Sequence, residues 1–155
     1  MGTLLGMLLT PALGRTLAGN LSVRAHPDIH VKWVPLGLAC CSVEIESAVI
    51  NGLLVESATN QPAACTVVVV AGTVTDALAP GVVSVVVPAA ETGPVRVLSF
   101  GACADSGGPY WDAPTVTKGI DQLLAVSAYV PGCPPRPEAL VAAIVELAQR
   151  DELAP

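Results

Sequence analysis

Cysteine is the residue type in this chain with the clearest capacity for chemistry, and its placement is uneven. Cys40 and Cys41 are adjacent in GLACCSVEIE, Cys103 stands in GACADSGG and Cys133 in VPGCPPRP, whereas Cys65 heads an unbroken β-branched run, CTVVVV. Four thiolates are the donor set of an iron–sulfur cluster or of a structural zinc ion. Gly101, Gly107 and Gly108 surround Cys103, and Gly132 precedes Cys133. Glycines permit close backbone approach and tight turns, and amides freed in such turns can donate to cluster sulfurs. Pro131, Pro134 and Pro135 stiffen the chain around Cys133. A buried cysteine also serves as a small hydrophobe, and that is the reading for Cys65. It does not suit the other four, because core spacers do not gather at turns rich in Gly and Pro. Zinc stays open as an alternative, although structural zinc takes its ligands in close pairs such as C-x2-C, and an adjacent pair suits a tetrahedral ion poorly.

These thiols need a scaffold to bring them together. From residue 26 onward, apolar runs alternate with short Gly/Pro-rich turns, which predicts strands over 29–34 (IHVKWV), 66–71 (TVVVVA), 95–100 (VRVLSF) and 124–130 (LAVSAYV). The second is β-branched from Thr66 to Val70 and reads as a strand buried on both faces. Crossover helices are predicted over 44–55, 115–123 and 138–150, the last with Pro137 at its first turn. The segment 79–90 (APGVVSVVVPAA) occupies the place of a helix although its valines favour a strand. It is assigned to helix, with Pro80 starting it and Pro88 stopping it. Strands alternating with helices predict an α/β layer fold with a mostly parallel sheet of about four strands. Ligands of such sheets bind outside the carboxyl ends of the strands. Cys40 and Cys41 lie beyond the first strand, Cys103 three residues after Phe100, and Cys133 three residues after Val130. Three strand ends, through the loops that follow them, thus carry four thiols to one edge of the sheet.

Composition narrows the function classes. The chain has 155 residues, enough for one compact domain. Hydrophobic residues make up 52% and charged residues 13%, with a mean hydropathy of +0.64. That is too apolar for disorder and too poor in charge for a freestanding soluble protein, so a partner is expected to cover part of the surface. The net charge of −6 and the lack of any basic run exclude a nucleic-acid binder and attachment to anionic lipid by charge alone. An odd, irregularly spaced set of cysteines is not a secreted disulfide framework. Residues 1–25 are expected to form an apolar docking or interfacial segment, with Leu4, Leu5, Leu8 and Leu9 on one side, the alternative being a frayed terminus; Pro11, Gly14 and Arg15 interrupt it too early for a membrane span. Residues 26–155 form the cluster-binding α/β domain. No residue is assigned to catalysis, since G-x-S-x-G, H-E-x-x-H and P-loop motifs are missing, and the single Gly72-Thr73-Val74 is too weak a signal for a nucleotide site.

The blocks GLACCSVEIE, VAGTVTDALAP, GACADSGGPY and YVPGCPPRPEAL, in this order and spacing, resemble the PSST subunit family of respiratory complex I, the NADH–quinone oxidoreductases. That family is related to the small subunit of [NiFe] hydrogenases, and the similarity covers roughly residues 30 to 150. It implies a flavodoxin-like three-layer domain holding one [4Fe–4S] cluster on Cys40, Cys41, Cys103 and Cys133, the last cluster before quinone. It also implies a large hydrogenase-like partner sharing the quinone site, a ferredoxin-like iron–sulfur subunit, membrane-arm subunits, and a peripheral membrane location on the cytoplasmic side. Activity would then belong to the proton-translocating assembly, not to this chain alone. Cys65 matches no family ligand. Hydrogenase small subunits resemble C-x2-C where this chain has Cys40-Cys41, which favours the quinone-reducing branch over a membrane-bound [NiFe] hydrogenase-type complex. A structural assembly subunit without redox function is the third reading.

The chain departs from the family in places. Pro62-Ala63-Ala64-Cys65-Thr66 stands where Pro-Arg-Gln-Ala-Asp is usual, Ala77 where a basic residue is expected, and Ile45 where Met is usual. These losses spare the ligand positions but alter the expected surroundings of the quinone and of the subunit contacts. Of the remaining polar and aromatic residues, Glu44 is a candidate acid beside the cluster or a solvated carboxylate. Tyr110 and Trp111 are candidates for a partner interface or a cap on the sheet edge. Arg136 is a candidate for tuning the cluster or anchoring a partner carboxylate. No ligand role is assigned to His26 or His30.

Overall fold

The computed structural model describes residues 20–35, 40–57, 63–91 and 93–150. The chain order is β1 (Asn20–Val23), β2 (His26–Pro35), α1 (Cys40–Ile50), β3 (Leu54–Glu56), β4 (Cys65–Ala71), α2 (Ala79–Glu91), β5 (Val95–Phe100), α3 (Ala102–Ser106), β6 (Ala128–Val130) and α4 (Pro137–Gln149), with 3-10 turns at Gly108–Tyr110 and Ile120–Gln122. The six strands form one sheet ordered β3-β1-β2-β4-β5-β6. β2, β4, β5 and β6 run parallel, whereas β1 pairs antiparallel with both β2 and β3.

The valine run explains why β4 lies inside. Val67, Val68, Val69 and Val70 are all fully buried, which only a strand covered on both faces allows. Alternation sorts them into two cores. Val67 and Val69 join Val31, Leu98 and Phe100 on the face closed by α1 and α4, through Ile45, Ala48, Leu140 and Ile144. Val68 and Val70 join Val34 and Val97 on the opposite face, closed by Val82, Val86 and Ala89 of α2. The parallel register keeps these partners level, with Val31 opposite Val67 and Val69 opposite Leu98. The result is a three-layer sandwich.

The predicted strands at 29–34, 66–71 and 95–100 are present, and 79–90 is a helix as assigned. Burial of Val82, Val86 and Ala89 along one side of α2 overrides the strand preference of valine. Pro88 does not stop that helix, which runs on to Glu91 with Pro88 on its exposed side.

Four expectations are corrected. The sheet has six strands instead of about four, because Asn20–Val23 and Leu54–Glu56 add an antiparallel extension. The helix expected over 44–55 starts earlier, at Cys40, and ends at Ile50; Leu54–Glu56 then pairs with β1. No helix spans 115–123: Val116 forms a bridge with Thr75, Gly119 takes a positive φ, and only a 3-10 turn at Ile120–Gln122 follows. The last strand covers only Ala128–Val130 of the expected 124–130.

Residues 1–19, and with them the leucines assigned to docking, lie outside the described residues, and the sheet already begins at Asn20. No helix among the described residues is long and apolar enough to cross a membrane.

Candidate metal centre

The carboxyl ends of β2, β4 and β5 lie side by side, with β6 next to β5. Beyond β2 the chain enters α1 with Cys40 as the first helical residue. Cys41, 1% exposed, points into the core beside Ile45 and Ala48. The Ser42 hydroxyl donates to the carbonyl of Ala71 (3.3 Å), fastening the start of α1 to the end of β4. Cys103 is buried within the short helix α3, directly after β5. Cys133 is exposed in the loop after β6, ahead of a cis Cys133–Pro134 bond. The expectation that all four thiols sit on loops is therefore corrected: three stand on the first turns of helices that start at strand ends.

Backbone hydrogen bonds clamp the loops to each other. The Gly101 amide donates to Val130 O (2.8 Å) and the Ala102 amide to Gly132 O (2.8 Å), locking the Cys103 turn to the Cys133 loop. Gly101 adopts φ +88°, and a Cβ there would overlap Cys41 Sγ. The Cys41 sulfur thus lies against the Gly101 backbone, with the Gly132 carbonyl 3.4 Å from that same Cβ position.

The electrostatics reflect this crowding. Burial pushes the Cys41 thiol up to about 12, and the charges of Cys40, Cys103 and Cys133 add to the rise. Burial also pushes Cys103 up; the Thr73 hydroxyl pulls it back down, and Cys133 and Cys40 raise it again. The four thiols are close enough to act on one another. Cys65 takes no part. It is buried at the opposite end of β4, a seven-residue strand spanning roughly 20 Å at about 3.3 Å per residue.

Four thiolates crowded without a cation repel one another, so the set calls for positive charge from outside the chain. Among the described residues no three His, Cys, Asp or Glu side chains form a group that would hold a single metal ion. Zinc would draw every sulfur to about 2.3 Å from one nucleus. An iron–sulfur cubane offers a separate iron to each of four thiolates, and the chemistry of the four-thiol donor set fits it.

Reactivity in the metal-free protein should divide the thiols. Cys40 and Cys133 are exposed, whereas Cys41 and Cys103 are buried with raised pKa. Brief iodoacetamide treatment at pH 8 should alkylate Cys40 and Cys133 and spare Cys41 and Cys103, as read by peptide mass spectrometry. The folded-state rise for Cys41 favours the fold below the ordinary thiol pKa of 9.0 and is lost as pH climbs toward about 12. The metal-free protein should accordingly lose stability on alkaline titration above about pH 9, not on mild acidification.

Of the other candidates, Tyr110 and Trp111 are 52% and 64% exposed and thus free for a partner. Glu44 is half-buried, and Glu46 and Arg136 are exposed. His30 Nε2 lies 3.1 Å from Ser57 Oγ, midway along β2 and short of the carboxyl end that leads to Cys40. The expected donation from turn amides does not extend to Gly101 and Ala102, whose N–H groups are engaged by carbonyls. Sequence reasoning missed Thr73, which is buried beside Cys103. Its only signal was a Gly-Thr-Val directly after a strand.

Residues 36–147 match the family described as NADH ubiquinone oxidoreductase, 20 Kd subunit. The chain belongs to that family. Among relatives of the 20 Kd subunit, it is similar to an NADH-quinone oxidoreductase subunit of Salinispora tropica, at 45% identity over 124 residues, covering 76% of this chain and 65% of the relative. An NADH-quinone oxidoreductase subunit of Streptomyces griseus is 45% identical over the same share of this chain and 52% of its own length. Its counterpart in Amoebophilus asiaticus is 38% identical, with coverage of 76% and 75%. The chain thus spans between half and three quarters of the length of these 20 Kd relatives. Its fold resembles a chain of the membrane-bound sulfane sulfur reductase, an archaeal respiratory membrane complex, with a TM-score of 0.56, 25% identity, and coverage of 81% of this chain and 71% of that one.

Proposed function

We propose that this chain is the electron-transfer subunit of a complex I-type NADH–quinone oxidoreductase, binding one [4Fe–4S] cluster through Cys40, Cys41, Cys103 and Cys133. What supports the reading is that four cysteines stand beyond three strand ends at one edge of the sheet, with the Cys41 sulfur seated against the bare Gly101 backbone. When bound, the cluster takes up and releases single electrons.

The chain's own residues do the positioning. Cys41 and Cys103 are buried and hold the inner side in a dry setting, Cys41 within the core of Ile45, Phe100 and Leu140. Low dielectric and the exclusion of water there limit side reactions of reduced iron. Cys40 and Cys133 form the outer side, open for a partner to approach within electron-tunnelling reach. Val43, Tyr110, Trp111 and Tyr129 are exposed on elements that flank these cysteines in the chain, and exposed aromatics are enriched where subunits meet.

In this reading the covering partners are a large hydrogenase-like subunit sharing the quinone site, a ferredoxin-like iron–sulfur subunit delivering electrons, and membrane-arm subunits. The N-terminal segment ahead of β1 docks against them at the cytoplasmic face of the membrane. The likeness to a sulfane sulfur reductase chain, together with Ala63, Ala77 and Ile45 at positions where the family differs, favours a second reading: the same cluster with an acceptor other than quinone.

Iron, sulfide and zinc analysis of the anaerobically purified assembly, with EPR, tests the proposal. About four iron and four sulfide per chain, and a dithionite-reduced signal that disappears when a short-chain quinone is added, are expected. A signal that persists with quinone but disappears with polysulfide moves the chain to the second reading. Zinc, or no iron, overturns both.

A further inference from the structure

The central strand β4 contributes no cysteine to the centre, although its carboxyl end lies between those of β2 and β5, which deliver three of the four. What it delivers is Thr73, two residues past Ala71. Thr73 is 7% exposed, and its hydroxyl is fully buried with no partner, oxygen, nitrogen or sulfur, in hydrogen-bonding geometry. Buried hydroxyls are nearly always paired, and leaving one unpaired costs about 1–3 kcal/mol. The group beside it is the Cys103 thiol. The nearby amides of Gly101 and Ala102 are committed to Val130 O and Gly132 O, so they do not compete for that sulfur. An O–H left without any acceptor, next to a sulfur that must be a thiolate to bind iron, has its partner defined by the loaded state.

We propose that Thr73 is a positioning residue whose hydroxyl donates to the Cys103 sulfur and raises the reduction potential of the centre, an inference that rests on the function proposed above. Hydrogen bonds to ligand sulfurs favour the reduced, more negative state and so raise the potential. Thr73→Val keeps the shape and removes the donor; Thr73→Ser keeps the donor.

The test is an EPR-monitored redox titration of the whole assembly carrying each variant. Thr73→Val should retain the signal, with about tenfold less reduced cluster at a fixed potential, equivalent to a midpoint lowered by about 59 mV for one electron. Thr73→Ser should titrate with the wild type. If Thr73→Val does not hold a cluster, Thr73→Ala against Thr73→Ser gives the same comparison between two small side chains, and a lower midpoint in the alanine variant supports the donor. An intact cluster with equal midpoints in wild type and Thr73→Val, or in the Ala and Ser variants, overturns the inference while leaving the proposed function standing. Loss of the cluster from Thr73→Ser also overturns it, since the donor is then not what matters. Absence of any cluster in the wild type sinks the proposed function and this inference with it.

Discussion

Cys103→Ala should abolish the cluster signal and the quinone-dependent reoxidation of the assembly, whereas Cys65→Ala should leave both in place. The contrast follows from position, not from cysteine chemistry, since both thiols are buried. Cys103 sits at the carboxyl end of β5, within electrostatic reach of Cys40, Cys41 and Cys133. Cys65 sits at the amino end of β4 in the aliphatic core. Loss of groups that merely support a metal ligand costs about 10–100-fold in metal affinity, so loss of the ligand itself should exceed that and leave iron near background. Cys65→Ala removes one buried sulfur from a packed site and should cost about 1 kcal/mol of stability through the small cavity left behind. Iron content and EPR of the two variants, each set against its thermal midpoint, separate loss of the centre from loss of the fold. A cluster that survives Cys103→Ala, or one that vanishes with Cys65→Ala, would overturn the assignment.

Much of this arrangement was legible because a few runs are chemically unambiguous. Five consecutive residues of β4, Thr66 to Val70, are β-branched, and no helix or surface segment accommodates such a run as well as a doubly covered strand. The parallel neighbours β2 and β5 were readable from the alternation in IHVKWV and from VRVLSF ending at Gly101, and their ends fixed the edge at which the cysteines had to meet. Strands β1 and β3 were not readable, because NLSV and LVE are too short to show a period and exist through their pairing with each other and with β2. The stretch 115–123 looked like a helix by length, but Thr115, Val116 and Thr117 are β-branched and Val116 bridges Thr75 instead. At the centre, residue type revealed the thiols, which differ chemically from everything around them. A threonine does not, and Thr73 becomes significant only once the strand order puts β4 between β2 and β5. Gly101 announced a turn; that its missing side chain makes room for a sulfur some sixty positions earlier in the chain was a tertiary fact.

That missing side chain supports the prediction of largest structural effect. Gly101→Ala should lose the cluster although every cysteine remains. Two effects act together. At φ +88° and ψ 158° the backbone lies in a region that L-residues avoid, at a cost of about 1–3 kcal/mol. The added methyl would also overlap Cys41 Sγ, and overpacking of this kind costs a further 1–3 kcal/mol, approximately. Relief is blocked on both sides. Cys41 cannot retreat, being packed against Ile45 and Ala48 at the start of a helix fastened to β4 through Ser42 and Ala71. Gly101 cannot retreat either, because its amide and that of Ala102 hold the Cys133 loop through Val130 O and Gly132 O. The strain must then displace the Cys41 sulfur or break that clamp, and either movement spoils the four-thiol set. The expected readouts are a thermal midpoint lowered by roughly 10 °C, iron near background, and faster alkylation of Cys41 and Cys103. A Gly101→Ala protein that binds iron and melts like the wild type would show that the thiols meet by some route other than the close contact between Gly101 and Cys41.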